Sequence, residues 1–377
     1  MRIYLFLFSL VILSSTAMAQ QNPKDLDLDW KTDTSKRIVP LEEFTALLMP
    51  DGIPPIDKPE FWDVHTASQA FFEHEPVIII EINGQAKAYP LSILTYHEIV
   101  NDTCGGTPIA VTYCPLCNAA IVFDRRLSHD GKEDLLDFGV SGMLRNSDLV
   151  MWDRQTQSWW QQFTGSALVG ELAGEELTYL SSMIISLGEF IETYPEGLVL
   201  STNTGHNMKY GTNPYTGYDN LENTQPRLFK GEVDSRLPAM ERVVDVQVNG
   251  KYKIYPLSVI SREKVINDTF GGQPLLILYT SKTVSVLDEK NIAESRKIGS
   301  VTVFRPELNG ELLTFIKKGG GFVDEQSGSS WSITGKCIAG ELKGEELWPV
   351  VHGNHFAFAW FVFHPDSEIY NINGIDY

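Results

Sequence analysis

The sequence contains two long stretches that match one another, and this match constrains the fold more than any other feature. The stretch that begins at Glu81 aligns with the one that begins at Gln247, at a constant spacing and without a gap. Both carry Asn-Gly, Tyr-Pro-Leu-Ser, Asn-Asp-Thr and Gly-Gly at corresponding positions. Residues 160–177 also match residues 331–347 after one insertion or deletion. The sequence therefore predicts an internal duplication of two units of roughly 130 residues each, a period too long for a solenoid.

The matches divide the chain into five predicted parts. These are a signal peptide at residues 1–19, an N-terminal arm at 20–72, a first repeat unit at 73–201, a connection at 202–240 and a second repeat unit at 241–377. The connection is rich in Gly, Asn, Tyr and Pro, which is typical of a long loop or linker.

Each unit has the pattern of short β-strands separated by turns. Residues 77–82 and 86–89 flank Asn83-Gly84, which predicts a β-hairpin. Further strands are predicted at 109–113, 119–124 and 149–153, and short helices after Pro90, at 41–49 and at 187–194. The predicted fold is mainly β (α+β with short helices), with a barrel or a sandwich in each unit.

The first residues have the pattern of an export signal. A charged start precedes an apolar run at residues 3–13, and Ala-Met-Ala at 17–19 forms a cleavage motif. The run is about half the ~20 residues that a membrane-spanning helix needs. We therefore expect an exported protein, periplasmic or secreted, without a membrane span after signal cleavage.

The charge of the chain bears on its partners. The formal net charge is −19, and the acidic residues are spread along the sequence. This distribution argues against nucleic acids and anionic membranes as partners. The expected partner is an unknown small molecule or a protein thiol.

The two units differ at the residues that could carry chemistry. Residues shared by both have turn or capping chemistry and are expected to serve folding. The soft or titratable candidates belong to the first unit: at the matched positions the second unit has Thr280 for Cys114, Thr283 for Cys117, Glu263 for His97, Lys264 for Glu98 and Phe270 for Cys104.

Cys114 and Cys117 form a Cys-Pro-Leu-Cys motif at a predicted junction between a strand and a turn. Such a pair can be a redox dithiol that closes to a disulfide. It can also present two thiolates to a soft metal such as copper, or to zinc. A structural staple is the third alternative. The sequence leads us to expect a thiol-based redox protein, with metal binding as the principal alternative.

His97 and Glu98 are the candidates to assist the cysteine pair. In a redox site His97 would be the base, and in a metal site it would be the third ligand with Cys114 and Cys117. Glu98 would accept a proton, or it would contact the metal ligands and orient them without binding the metal itself. A fourth metal ligand is not evident; Met143, Met151 or water could supply it.

Other polar and sulfur-containing residues give weaker signals. Cys104 and Cys337 are interpreted as apolar filling, although a disulfide between them is conceivable. The run at 139–148 is largely absent from the second unit, and its residues 145–148 could line a polar pocket or simply form a β-turn. Asn118 follows Cys117, so covalent haem attachment is not supported.

Several motifs together resemble a prokaryotic family known only as a domain of unknown function, number three-one-seven-nine in its series. The resemblance covers most of the chain after residue 19. It rests on Asp-Gly-Ile-Pro at 51–54, Ala-Tyr-Pro-Leu at 88–91, Tyr-His-Glu-Ile-Val-Asn-Asp at 96–102, Val-Thr-Tyr-Cys-Pro-Leu-Cys at 111–117, Phe-Gly-Val-Ser-Gly at 138–142 and Asp-Arg-Gln-Thr at 153–156. The family pattern includes His97, Glu98, Cys114 and Cys117, so the resemblance implies that they form the site. It usually has an aliphatic residue in place of Cys104, and it brings no established activity.

Overall fold

The computed structural model describes residues 29–370. The predicted signal peptide at residues 1–19 lies outside the described residues. Within the described part, no helix is long and apolar enough to cross a membrane.

The described chain is built from thirty short strands and five helices. Its first part contains β1 (Phe44–Ala46), β2 (Phe61–Asp63), α1 (Val64–Ala70), β3 (Pro76–Ile82), β4 (Gln85–Pro90), α2 (Leu91–His97), β5 (Ile99–Cys104), β6 (Thr107–Cys114), β7 (Ala119–Asp124), β8 (Arg126–His129), β9 (Lys132–Leu135), β10 (Phe138–Arg145), β11 (Asp148–Asp153), β12 (Trp159–Gln161), β13 (Ala167–Val169), β14 (Tyr179–Leu180), β15 (Met183–Ser186), α3 (Leu187–Thr193) and β16 (Leu198–Leu200).

After an irregular segment the same kinds of element follow. They are β17 (Arg242–Val248), β18 (Lys251–Pro256), α4 (Leu257–Glu263), β19 (Val265–Phe270), β20 (Gln273–Thr280), β21 (Ser300–Arg305), β22 (Glu307–Leu308), β23 (Glu311–Leu312), β24 (Phe315–Lys318), β25 (Gly321–Asp324), β26 (Ser330–Trp331), β27 (Cys337–Ala339), β28 (Trp348–Pro349), β29 (Asn354–Phe356), α5 (Ala357–Phe363) and β30 (Glu368–Ile369). The predicted mainly β fold with short helices is confirmed, with 42% strand and 12% helix arranged as several sheets and a half-barrel.

Local sequence explains the elements that open the first unit. Asn83 and Gly84 have positive φ angles of 50° and 77°, as a two-residue hairpin turn requires, and they join β3 to β4. The predicted helix after Pro90 is confirmed as α2, because proline is well tolerated at a helix start.

The other two helix predictions had opposite outcomes. The helix expected at 187–194 is confirmed as α3, which begins with a capping box between Ser186 and Glu189. The helix expected at 41–49 is wrong: Leu41–Glu43 forms one 3-10 turn, and β1 follows it. β1 pairs with the edge of β10, so tertiary strand pairing overrides a helical apolar pattern there.

The two predicted units contain the same run of elements. β3, β4, α2, β5 and β6 recur in order as β17, β18, α4, β19 and β20. The Asn101 side chain exchanges two hydrogen bonds with the backbone of Phe138, and Asn267 does the same with Phe315. These shared contacts have a folding role, while the duplication of the chain itself stays a prediction.

The correspondence between the units ends after β6 and β20. Residues 115–118 lead directly from β6 into its partner β7, whereas residues 281–299 separate β20 from its partner β21. Thr280 therefore has the strand position of Cys114. Thr283 lies within the longer connection, and its assignment as the counterpart of Cys117 stays a prediction.

The units are not separate bodies. A nine-stranded sheet contains β3 and β4 as well as β19, β20 and β21, and Ile184 of β15 pairs with Val301 of β21. Residues 201–241, all described, contain no helix or strand, and they pack over the cysteine turn, where the Tyr218 hydroxyl donates to the Leu116 carbonyl at 3.0 Å. The domain limits given above stay predictions.

Candidate functional site

Cys114 and Cys117 lie on the tight turn between β6 and β7. Cys114 is the last residue of β6 and pairs with Ala119, the first residue of β7. The Cys117 amide donates to the Cys114 carbonyl at 3.3 Å, and Asn118 has a positive φ of 51°, which closes the turn. The turn brings both sulfur atoms inward, since Cys114 is 2% exposed and Cys117 is fully buried.

A second turn meets the cysteines from the opposite side. Asn146 and Ser147 connect β10 to β11 with φ angles of 55° and 67°, the conformation of a two-residue hairpin turn. The Ser147 carbonyl accepts from the Cys117 thiol at 3.5 Å and from the Cys114 thiol at 3.9 Å. The Ser147 hydroxyl donates to the Arg227 carbonyl at 2.7 Å, which fixes the turn against the 202–240 connection.

Asp148 follows this turn and completes a three-residue cluster. One carboxylate oxygen of Asp148 and the two cysteine sulfurs lie within 4.8 Å of one another. Oδ2 of Asp148 accepts from Gln161 Nε2 at 2.6 Å and from the Phe163 amide at 3.0 Å. Oδ1 is buried and lacks a hydrogen bond of standard geometry among residues 29–370. The arrangement can bind a metal ion or act in thiol redox chemistry.

The electrostatics of the cluster disfavour its charged forms. Burial raises the pKa of Asp148 to about 6, against the hydrogen bonds from Gln161 and Phe163 and the smaller effects of the Cys114 and Cys117 thiols, which point toward the carboxylate. Burial also raises the pKa of Cys114, and it raises the pKa of Cys117 well above its ordinary value. Without a bound cation, both thiols are therefore protonated at neutral pH.

Glu98 adds another buried acid beside the cluster. Burial, followed by the negative charge of Asp148, raises its pKa to about 8. Its backbone has φ 57° and accepts from the Tyr113 amide at 2.8 Å, one residue before Cys114. Lys264 has the same backbone geometry in the second unit, with φ 67°. The positive φ of Glu98 is therefore a property of the shared fold, and the carboxyl group is what distinguishes the first unit.

His97 belongs to a different set of contacts. Its Nδ1 lies 2.6 Å from the Pro54 carbonyl and its Nε2 lies 2.6 Å from the Tyr210 hydroxyl. Because a carbonyl only accepts, Nδ1 carries the proton and Nε2 accepts from Tyr210. Burial lowers the pKa of His97, which favours this neutral form. The structure does not group His97 with the cysteines, and its predicted role as base or ligand stays a prediction.

Comparison with protein families matches residues 50–367 to a family described as "Protein of unknown function (DUF3179)". The chain belongs to this family. No curated protein and no solved structure matches it. The resemblance inferred from the motifs is therefore confirmed for the family, and DUF3179 supplies no activity for the cluster.

The other two cysteines of this DUF3179 protein lie outside the cluster. All four cysteines are free, so the conceivable bridge between Cys104 and Cys337 is not formed. The Cys104 thiol donates to the Gln85 carbonyl at 3.3 Å, and the Cys337 thiol donates to the Ala339 carbonyl at 3.5 Å. Both side chains are buried in apolar clusters, as expected for filling residues.

Asp148 is the cluster member that the sequence indicated least clearly. It appeared only within a polar run that could also have been a β-turn, and the structure shows the turn, with Asp148 directly after it and in a cluster with the cysteines. The corresponding hairpin of the second unit turns at Gly319 and Gly320 and has no carboxylate there. The absence of a matching carboxylate from the second unit was therefore the sequence signal that could have indicated Asp148.

Proposed function

We propose that this protein binds one zinc ion through Cys114, Cys117 and Asp148. The observation that carries the proposal is Oδ1 of Asp148, a buried carboxylate oxygen that lacks a hydrogen bond of standard geometry and belongs to a cluster with two thiols. A buried polar atom that lacks a hydrogen bond costs free energy, and a cation at this position would remove that cost.

The balance of charge supports a cation. Four acidic groups meet in this part of the core: two thiols, Asp148 and Glu98, each with a pKa raised by burial. A divalent ion bound here would stabilise the thiolates and the carboxylate. Binding would therefore release protons, as is usual when cysteines become metal ligands.

The mixed donor set favours zinc over copper. Two sulfurs and one carboxylate oxygen suit Zn²⁺, which accepts both kinds of ligand in a tetrahedral site. Cu(I) is selected by soft thiolate and thioether ligands, and a carboxylate does not suit it. The fourth position would fall to water or to Glu98, whose carboxyl is buried near the cluster.

Thiol redox chemistry is the second candidate function. It is favoured by the difference between the pKa values of the two thiols. Their mutual hydrogen bond lowers the pKa of Cys114 and raises that of Cys117, while burial raises both. Cys114 would then be the attacking thiol and Cys117 the resolving one. Burial of both sulfurs opposes this function, because exchange with another protein requires an accessible thiolate. Both proposed functions would be carried out by an exported protein, in the periplasm or in the medium.

Elemental mass spectrometry of protein purified without chelator tests the zinc proposal. We expect about one equivalent of zinc, as a single site requires, lost in Cys114→Ser and in Asp148→Asn. Cys104→Ser is the matched control, a buried thiol outside the cluster, and it should retain the metal. Retention in His97→Ala would show that His97 is not a ligand.

The opposite result points to the redox function. If the reduced protein takes up neither zinc nor copper under anaerobic conditions, the metal proposal fails. Reversible formation of a Cys114–Cys117 disulfide, together with trapping of a mixed disulfide in Cys117→Ser, would then establish the redox dithiol.

A further inference from the structure

A cleft between the two units lies on the other side of Phe163 from the cysteine cluster. Its volume is about 400 Å³, within the range of small-molecule sites. β7 and β14 of the first unit line one side, and β17, β28, β29 and α5 line the other. The Phe163 amide donates to Asp148, while its ring lines the cleft, so the two sites are neighbours with separate surfaces.

Aromatic rings form much of the wall. The His364 ring lies 4.1 Å from the Tyr252 ring and 4.4 Å from the Trp360 ring, measured between centroids. The His355 ring packs between Phe163 at 4.5 Å and Trp360 at 5.3 Å. Trp360 and His355 are buried within this stack, and the half-buried ring of Tyr252 is the part of it that an occupant of the cleft can reach.

Asp245 places one carboxylate among these rings. Its Oδ1 accepts from the Gly353 amide at 2.7 Å and from His355 Nε2 at 3.1 Å. Burial raises the pKa of Asp245, but the hydrogen bond and charge of His355 and the Gly353 amide outweigh it, and the net pKa is lowered. Within the described chain, Oδ2 has no hydrogen bond, and the side chain keeps 14% of its surface exposed. The cleft therefore contains an ionised carboxylate with a free acceptor.

Two histidines of the cleft, His364 and His352, carry no compensating charge at neutral pH. Burial lowers the pKa of His364 to about 4, and burial also lowers the pKa of His352. His355 uses Nε2 to hold Asp245, and its Nδ1 is buried without a partner among the described residues. Arg305 is the cation that lines this cleft, and it lies on an exposed position of β21.

We propose that this cleft binds a small organic amine, with its cationic nitrogen at Asp245 Oδ2 and its apolar part against the ring of Tyr252. A desolvated cation gains from both the carboxylate and an aromatic face. The proposal does not depend on zinc or redox chemistry at the cysteine cluster, because none of its groups is a ligand there.

Three matched probes test the charge preference on the unmodified protein. Phenethylamine carries the cation, phenethyl alcohol replaces it with a neutral hydroxyl, and phenylacetate replaces it with an anion. We expect saturable calorimetric binding of the amine, about tenfold or more tighter than that of either other probe. Equal binding of amine and alcohol, tighter binding of phenylacetate through Arg305, or no binding of the amine at millimolar concentrations would overturn the proposal.

A pair of variants locates the site. Asp245→Asn keeps the acceptor for Gly353 and His355 but removes the charge, so it should reduce amine affinity to that of the alcohol. Glu311→Gln, on the exposed β22–β23 hairpin outside the cleft, should bind the amine as the unmodified protein does. Unchanged amine binding in a folded Asp245→Asn variant would refute the assignment. If that variant does not fold, the three-probe comparison still decides.

Discussion

Asp148→Asn should make the metal-free protein more stable at neutral pH while it abolishes metal binding. In the folded protein the pKa of Asp148 rises from 3.8 to about 6 because of burial. A carboxyl with a raised folded-state pKa loses stability as pH rises from its unfolded pKa through its folded one. The asparagine carbonyl can still accept from Gln161 and Phe163, and the amide cannot ionise.

The size of the effect follows from that pKa. A shift of about two units corresponds to about 3 kcal/mol between fully protonated and fully ionised Asp148. About 1 kcal/mol of this is already lost at about pH 4.5, because the unfolded carboxyl is mostly ionised there. The advantage of Asp148→Asn over the unmodified protein should therefore grow by about 2 kcal/mol between about pH 4.5 and about pH 7.5.

Urea unfolding of the reduced, chelator-treated proteins at the two pH values measures this difference. Comparing the change with pH, instead of the absolute stabilities, cancels effects of the substitution that do not depend on protonation. Parallel stability curves for the two proteins would show that Asp148 is not held at an unfavourable position. The reasoning about its buried oxygen would then be wrong.

Three further substitutions separate folding from site chemistry. Glu75→Gln should raise the free energy of unfolding by about 3 kcal/mol at about pH 8, because burial raises the pKa of Glu75 to about 7; unfolding curves that do not diverge from those of the unmodified protein as pH rises would contradict this. Asp324→Asn should cost about 1–3 kcal/mol in urea unfolding, since Asp324 accepts from Trp331, Ser327 and Ser329, and the zinc content should not change. Tyr210→Phe should cost about 1 kcal/mol through the lost hydrogen bond to His97, again with unchanged zinc content; loss of zinc would instead connect His97 to the cluster.

Local patterns were sufficient to predict the elements whose cause is local. Asn83-Gly84 specifies its hairpin, and Pro90 and Ser186 mark the starts of α2 and α3. The same reasoning gave a wrong prediction for the segment at 41–49. Its conformation is decided by the pairing of β1 with β10, a strand that lies far away in sequence.

The candidate site was predictable only in part for the same reason. Cys114 and Cys117 are close in sequence, and the second unit has no cysteines at the matched positions, so a comparison of the two units indicated them as site candidates. Asp148 reaches them through a second hairpin that no spacing rule connects to the first. His97 is near the cysteines in sequence, yet its ring bonds to Pro54 and Tyr210. Sequence comparison also could not show that the connection containing Thr283 is much longer than the one containing Cys117.

X-ray absorption at the zinc edge of the zinc-loaded protein tests the proposed centre most directly. A site formed by Cys114, Cys117 and Asp148 predicts two sulfur neighbours at about 2.3 Å and oxygen neighbours at about 2.0–2.2 Å. In Asp148→Asn the oxygen shell should change or the ion should be lost. A first shell without sulfur, or one of four sulfurs shared between molecules, would contradict the proposal.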